Sequence, residues 1–205
     1  MSLKLYTSPG ACSLADHIAL SWTAQPFEVV VVSREQRRSP EFLALNPAGA
    51  VPVLEHDGWV LTQNIAILNY IADTFPEAKL GGDGTPKGRA EANRWLALLN
   101  SDVHPTFRPL FGSMAHLGPE AETKAKEAAR TKLREYFERI DAHLAGRSWL
   151  AGDARTIADP YLYVVMRWTR LVGVDLDGLS NLAGHFERMS ADPGVQAALK
   201  AEGLS

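Results

Sequence analysis

Hydrophobic positions in the first 80 residues alternate between short runs and helical spacing. The segment LKLY at 3–6 predicts a strand, and the Pro-Gly pair after it leads into a helix. In that helix Leu14, Ile18 and Trp22 recur every four residues and form one apolar face. The run FEVVVV at 27–32 is β-branched and almost unbroken, which is typical of a strand buried on both faces. Together these elements predict a β-α-β unit.

A second group of short elements follows. SPEFLALNP is a candidate helix or turn, and VPVLEHDGWVLT contains two short strands around Asp57-Gly58, a strong hairpin signal. NIAILNYIADTF then has helical spacing, with Asn64 as its candidate N-cap. The predicted order for this part of the chain is therefore β-α-β-α-β-β-α.

The composition changes at 76–88, PEAKLGGDGTPKG, where glycine, proline and charge replace apolar residues. Beyond this segment the apolar residues recur only at helical spacing. We therefore predict an α/β domain over 1–80, a linker over 81–87 and an all-α helical domain over 88–205.

The composition is that of an ordinary globular protein. Of 205 residues, 46% are hydrophobic and 22% are charged, and the formal net charge is -3. Mild acidity and dispersed basic residues argue against nucleic acid as a partner. Because no apolar run is long enough for a signal peptide or a membrane span, we expect a cytoplasmic protein that does not interact with membranes.

Cys12 is the only cysteine, which excludes an intrachain disulfide and a cysteine-based metal cluster. It stands just before SLAD, where Ser13 and Asp16 form a candidate capping box. The positive end of a helix dipole stabilises thiolate over thiol, which favours a reactive role. The charge of Asp16 and the general tendency of cysteine to be buried favour an inert one, and both readings stay open.

Pro52 stands directly before the first strand of the hairpin, where it marks a turn. If the Val51-Pro52 bond is cis, the N–H and C=O of Val51 are free to pair with an extended, peptide-like ligand, although trans is the commoner state. Further along, the helix start at Gln63 and Asn64 is either a carboxylate-binding site or a plain cap.

One of the six histidines differs from the others in its surroundings. His104 lies in SDVHPTFRPLF, where two prolines interrupt a helical stretch and can bend it. A histidine near Cys12 would hold its thiolate or shuttle its proton. We assign the other five histidines to surface or core positions.

Taken together, these segments resemble a cytosolic glutathione S-transferase, most closely of the bacterial beta class. The resemblance rests on five segments in order along the chain: LYTSPGACSLADHIAL, NPAGAVPVLEHDG, LTQNIAILNYIAD, RTIADPYL and GVQAALKAEGL. It implies a thioredoxin-like N-terminal domain, an all-helical C-terminal domain, a homodimer and a role in detoxification. It also implies glutathione as co-substrate, with no other cofactor and no metal.

Residue by residue, the resemblance first concerns the sulfur of glutathione. Cys12 matches the beta-class cysteine that touches this sulfur and forms a mixed disulfide with it. Ser13 matches the adjacent hydroxyl that donates to the sulfur, and His104 matches a histidine near it. Val51 and Pro52 match the pair, with a cis proline, that receives the cysteinyl backbone of the tripeptide.

The two ends of glutathione are matched by polar residues. Gln63 and Asn64 match the pair that binds the γ-glutamyl end, although Asn64 replaces the usual serine or threonine. Ala50 stands where a longer polar residue is common, which removes one contact with the ligand. Arg34 and Arg37 are candidates to replace this contact by binding the glycine carboxylate. The alternative is that both arginines belong to a solvated loop.

The expected function is the transfer of glutathione to a small, electrophilic and largely apolar substrate. Two alternatives stay open. One is a glutathione-dependent thiol-disulfide reductase that acts through Cys12, and the other is a noncatalytic ligand-binding protein of the same fold.

Overall fold

A four-stranded mixed sheet is formed by the first third of the chain. The computed structural model describes residues 2–204, without the side chain of Leu117. The strands are β1 (Leu3–Thr7), β2 (Glu28–Val31), β3 (Val53–His56) and β4 (Trp59–Thr62). They lie in the order β2-β1-β3-β4, with β1 parallel to β2 and antiparallel to β3.

Three helices accompany the sheet, α1 (Ser13–Trp22), α2 (Pro40–Leu45) and α3 (Asn64–Thr74). The predicted order β-α-β-α-β-β-α is confirmed. The predicted apolar face of α1 is confirmed too, because Leu14, Ile18 and Trp22 are all buried. The Asp57-Gly58 turn joins β3 to β4, and both residues have positive φ, 49° and 84°, as a two-residue hairpin turn requires.

The prediction for β2 is wrong in one respect. FEVVVV suggested a strand buried on both faces, but each residue of β2 is exposed or only half-buried. Val31 is 42% exposed. β2 also forms an edge of the sheet, because it pairs only with β1. A run of β-branched residues reports strand propensity, whereas the burial of the strand is set by what the rest of the chain packs against it.

The remaining elements within residues 63–204 are helical. They are α4 (Pro86–Leu98), α5 (His104–Thr106), α6 (Arg108–Phe111), α7 (Pro119–Leu144), α8 (Ala158–Val172), α9 (Ser180–Ser190) and α10 (Pro193–Ala201). A π-helical turn, Leu99–Val103, separates α4 from α5. The predicted helical second half is confirmed, although α4 begins inside the segment predicted as the linker.

One hydrophobic core extends through both halves of the molecule, because α1 packs against α8 and α10. Two indoles add hydrogen bonds across the same junction. Trp22 Nε1 donates to Asp192 at 2.7 Å, and Trp168 Nε1 donates to the carbonyl oxygen of Gly10 at 2.8 Å. The turn before α1 is thus attached directly to α8.

Neither a membrane-spanning helix nor a metal cluster is present in residues 2–204. No helix there combines the length and apolar character needed to cross a bilayer. Nor do three or more His, Cys, Asp or Glu side chains of that part of the chain come together as a candidate metal site.

Candidate functional site

Three segments that are distant in sequence meet at Cys12. This residue lies at the N-terminus of α1, and its thiol donates to the carbonyl oxygen of Val51 at 3.7 Å. Asn64, the first residue of α3, donates its side-chain Nδ2 to the backbone oxygen of Cys12 at 2.8 Å. The fold therefore brings the thiol, the proline turn and the start of α3 together at one place, called the cleft below.

The electrostatics of Cys12 favour the less reactive of the two states that the sequence left open. Burial, reinforced by the charge of Asp16, raises the pKa of the Cys12 thiol to about 12, whereas Asn64 and backbone N–H groups act weakly in the other direction. Loss of hydration outweighs the helix dipole because the sulfur lies among apolar side chains. In this state of the molecule Cys12 is a neutral S–H donor at physiological pH.

Ser13 faces away from the cleft. Its side chain is fully buried, and its oxygen lies 2.7 Å from that of Thr7. Since Thr7 donates to Glu202 at 2.9 Å, the proton between the two hydroxyls comes from Ser13. In this arrangement Ser13 positions the turn around Cys12 and has no proton left for a sulfur in the cleft.

The predicted capping box of α1 is also wrong. Cys12 occupies the N-cap position and its side chain makes no capping hydrogen bond. The carboxylate of Asp16 is fully buried and accepts no hydrogen bond from any other residue in 2–204. Burial raises the pKa of Asp16 well above its usual range, and the nearby charge of Glu202 acts in the same direction.

A buried carboxylate behind the cleft was missed by the sequence analysis. Glu202 is 4% exposed and follows α10 near the end of the chain. Its Oε1 accepts from Thr7 and lies 3.0 Å from Nδ1 of His17, and its Oε2 accepts from the N–H of Gly10 at 3.1 Å. These donors compensate the cost of burying a charge. The segment GVQAALKAEGL gave no sign of this role, because the partners lie almost 200 residues away.

The turn before β3 presents backbone groups to the cleft. The Val51-Pro52 peptide bond is cis, and the N–H of Val51 donates to no other described residue. Asn46 supports the turn, because its Nδ2 donates to the carbonyl oxygen of Ala50 at 2.7 Å. Gly49 has a φ of 60°, and a Cβ there would lie 3.1 Å from the backbone oxygen of Arg37. Only glycine fits this approach without strain.

At the start of α3 the predicted N-cap is wrong by one residue. Gln63 is the N-cap, with an exposed side chain and a φ of 76°, a conformation that strains a residue other than glycine. Asn64 lies inside the helix and is buried against Cys12. The N–H groups of Ile65 and Ala66 donate to no other residue of the described chain, which leaves donors for an anion at the helix end.

The two candidate arginines differ in their environments. Arg34 is exposed, in the turn after β2. Arg37 is half-buried beside the turn at Gly49, and its Nε is buried without a hydrogen-bond partner within residues 2–204. Of the two, Arg37 has the unused donor next to the proline turn.

His104 lies in the helical half and contacts Trp168, whose indole binds Gly10 in the turn before Cys12. Its Nδ1 lies 2.7 Å from the hydroxyl of Tyr161, which donates to Oδ1 of Asn100 at 3.3 Å. With the Tyr161 proton directed to Asn100, His104 donates its Nδ1–H and keeps a free lone pair on Nε2. Burial, and then the positive charge of Arg108, lower the pKa of His104. The ring is therefore neutral at physiological pH.

An open cavity of about 540 Å³ lies beside His104. Its lining residues are Asn100, His104, Pro105, Arg108, Phe111 and Gly112. The π-helical turn contributes Asn100 and directs the chain into α5. Trp168 packs edge-on against His104 at 4.7 Å between ring centres, and the same indole binds Gly10 near Cys12. Sequence reasoning found only His104 in this group.

Comparison with known proteins places the chain in a family. Residues 1–73 match the model of the glutathione S-transferase N-terminal domain, and residues 99–193 match that of the C-terminal domain. The chain belongs to the glutathione S-transferase family. The expected thioredoxin-like domain followed by a helical domain is confirmed by this match and by the fold.

Several relatives are similar over almost their whole length. A glutathione S-transferase of Xanthomonas campestris is 61% identical over 99% of this chain and 100% of its own. A solved glutathione S-transferase from Xylella fastidiosa has a TM-score of 0.96 at 55% identity, covering 99% of this chain and 100% of the other. A sphingomonad enzyme solved in complex with glutathione has a TM-score of 0.87 at 42% identity, covering 98% and 100%.

The resemblance to the beta class is confirmed at the level of structure. A glutathione S-transferase of Sphingomonas chungbukensis, described as a bacterial beta-class protein, is 42% identical and has a TM-score of 0.87 over 98% of this chain and 100% of its own. The family match accounts for the fold. The role of each residue in the cleft rests on the geometry described above.

Proposed function

We propose that this glutathione S-transferase binds glutathione in the cleft between Cys12, the Val51-Pro52 turn and the start of α3, and transfers it to electrophilic, largely apolar small molecules. The observation that carries the proposal is the 3.7 Å contact between the Cys12 sulfur and the Val51 carbonyl oxygen. It places a thiol donor beside backbone groups suited to an extended tripeptide. The sphingomonad relative solved with glutathione supports the choice of ligand.

The ends of the tripeptide have matching donors in this arrangement. The free N–H groups of Ile65 and Ala66, with the exposed amide of Gln63, suit the carboxylate of the γ-glutamyl end. The unpartnered Nε of Arg37 suits the glycine carboxylate on the other side of the turn. Arg34 adds a more distant positive charge on the same loop.

The chemistry is chiefly electrostatic stabilisation of the glutathione thiolate. The thiol of glutathione loses its proton to solvent, and Cys12 donates its S–H to the resulting sulfur anion. That sulfur attacks the electrophilic carbon, a C–S bond forms, and the leaving group departs with the electron pair of its bond. His104 borders the reacting atoms with a neutral ring, and the adjoining cavity receives the second substrate.

Affinity chromatography and one kinetic assay test this proposal. We expect the protein to be retained on glutathione-agarose and to conjugate glutathione with 1-chloro-2,4-dinitrobenzene. A protein that binds glutathione without turnover would be a noncatalytic binding protein. A protein that neither binds nor conjugates would contradict the proposal altogether.

A reductase acting through Cys12 is the second candidate, because the thiol lies in the cleft itself. In that reaction the Cys12 thiolate attacks a disulfide, forms a mixed disulfide and releases a thiolate; glutathione thiolate then attacks the mixed disulfide and regenerates Cys12. The raised pKa of Cys12 makes its thiolate scarce at neutral pH, which favours conjugation. Loss of disulfide reduction but not of conjugation in Cys12→Ser would separate the two activities.

The resemblance to the beta class extends the proposal to the setting of the reaction. It includes a homodimer, a cytoplasmic location and a role in detoxification. Size-exclusion chromatography with light scattering measures the oligomeric state directly. A monomer at micromolar concentration would contradict the proposed homodimer.

A further inference from the structure

The open cavity beside His104, called the electrophile cavity below, has one cation among its described lining residues, Arg108. Arg108 begins α6 and its side chain is exposed. Its guanidinium forms no hydrogen bond or ion pair with any other residue in 2–204, whereas most charged side chains of α7 have a partner of opposite sign. A ligand anion would therefore meet this cation without displacing an existing partner.

Among the described residues that line the cavity, none adds a negative charge. They supply one amide, one imidazole, one guanidinium and apolar groups, and none of these six residues carries a carboxylate. The positive charge of Arg108 is felt at His104, whose pKa it helps to lower. The electrostatic field of the guanidinium thus extends to His104, which the proposed function places beside the sulfur of glutathione.

Aromatic rings form the apolar wall next to this cation. Phe111 is 51% exposed and stacks on Phe107, with 5.6 Å between ring centres and 16° between planes. Both rings meet Trp168 edge-on, at 5.4 and 5.3 Å. The exposed face of Phe111 lies on the same cavity as Arg108, so a flat ring and an anion can be bound together.

We propose that the electrophile cavity selects aromatic electrophiles that carry an anionic substituent, with Phe111 contacting the ring and Arg108 binding the anion. The inference rests on the proposed transferase function and narrows its substrate class. Planar guanidinium groups bind carboxylates through paired hydrogen bonds. Arg108 therefore determines which electrophile is bound and takes no part in activating the sulfur.

A matched pair of electrophiles isolates the effect of charge. The probes are 4-chloro-3,5-dinitrobenzoate and its neutral amide, 4-chloro-3,5-dinitrobenzamide. In both reactions the glutathione sulfur attacks the carbon that bears chlorine, the C–S bond forms, and chloride leaves with the electrons of the C–Cl bond. The measured quantity is the ratio of kcat/KM for the benzoate to kcat/KM for the benzamide.

Three variants complete the design. One removes the charge at position 108, one keeps it, and one removes a charge elsewhere on the surface. In Arg108→Gln this ratio should fall at least about fivefold, since one charge-assisted pair in a partly desolvated cavity is lost. Arg108→Lys keeps the charge and should restore part of the ratio. Arg139→Gln makes the same change of net charge at an exposed position of α7 and should leave the ratio as it is in the parent protein.

The outcomes separate this inference from the function on which it rests. If the parent protein conjugates both probes but the ratio is the same in Arg108→Gln, the inference is overturned and the transferase function stands. A ratio that falls equally in Arg139→Gln also overturns it, because long-range steering would then explain the preference. If neither probe nor 1-chloro-2,4-dinitrobenzene is conjugated, both proposals fail.

Discussion

Trp168 Nε1 donates to the carbonyl oxygen of Gly10 across 2.8 Å, although the two residues are 158 positions apart. Gly10 lies in the turn that leads to Cys12, and Trp168 packs edge-on against His104. One side chain therefore connects the turn that holds the thiol to the wall of the electrophile cavity. A substitution of Trp168 therefore removes contacts at both places.

Removal of this hydrogen bond should destabilise the fold. Trp168→Phe keeps an aromatic ring but loses the N–H donor, and we expect the free energy of unfolding to fall by about 1 to 2 kcal/mol. Urea denaturation measures the change. In the control Trp59→Phe the parent indole is half-exposed and makes no hydrogen bond within residues 2–204, so the loss should stay below about 0.5 kcal/mol. Equal losses in both variants would contradict the role of the bond.

Glu202 should matter for stability through its three donors. Glu202→Gln keeps the shape of the side chain but places an amide N–H group among groups that all need an acceptor. We expect the free energy of unfolding to fall by about 1 to 3 kcal/mol. Glu187→Gln, at an exposed position of α9, is the matched control and should be close to neutral. If Glu202→Gln leaves the free energy of unfolding unchanged, the proposed role of the buried carboxylate is contradicted.

The raised pKa of Cys12 predicts an unusual pH profile of alkylation. Only thiolate reacts with iodoacetamide, and below its pKa the thiolate fraction grows tenfold for each pH unit. With a pKa of about 12, the rate constant should still be rising with that slope between pH 8 and pH 10. Because the chain has a single cysteine, mass spectrometry reports this site alone. The comparison is free glutathione alkylated in the same buffers.

Two results would argue against that environment. A plateau of the alkylation rate below pH 9 would mean that the Cys12 thiol is no less acidic than a free thiol. A pH-independent rate constant equal to that of free glutathione in the same buffers would argue against it as well. Helical circular dichroism is recorded at each pH, and the slope is measured over the pH values at which it is unchanged. With a folded protein and no plateau, incubation with oxidised glutathione should add its mass only slowly, and Cys12→Ala should abolish the adduct.

His104 should affect turnover more than glutathione binding. His104→Ala removes the ring next to the reacting atoms, so kcat for 1-chloro-2,4-dinitrobenzene should fall about tenfold or more, while calorimetry shows little change in the Kd of glutathione. Because the pKa of His104 lies below the ordinary value of 6.5, the parent protein keeps a neutral ring from pH 7 to pH 8. The titration of His104 should therefore leave the kcat of the parent protein constant between pH 7 and pH 8. The kcat should fall only when further acidification protonates the ring.

A conservative variant separates chemistry from support of the fold. His104→Gln retains an amide that can bond to the hydroxyl of Tyr161 but lacks the imidazole lone pair on Nε2. If His104 acts only by holding Tyr161, this variant should recover kcat. Equal losses of kcat and of glutathione affinity in His104→Ala would likewise assign the residue to the fold.

Much of the architecture was accessible from local patterns. The four-residue spacing in α1 and the Asp57-Gly58 turn are short-range signals, because helix faces and hairpin turns depend on neighbours within a few positions. The resemblance then identified the segments around Cys12, Val51 and Asn64. Local patterns failed for β2, where the same apolar run is compatible with a buried or a partly exposed strand.

Spacing, turn chemistry and likeness to a family were enough to predict which elements form and in which order, and to name the segments that meet at Cys12. The protonation and orientation of the side chains follow from the packing of the whole chain. Cys12 is a thiol with a raised pKa because distant apolar residues desolvate it, and Ser13 faces Thr7 and Glu202 because α10 returns to the first strand. Burial and long-range hydrogen bonds arise only when such segments pack together, so no local pattern encodes them.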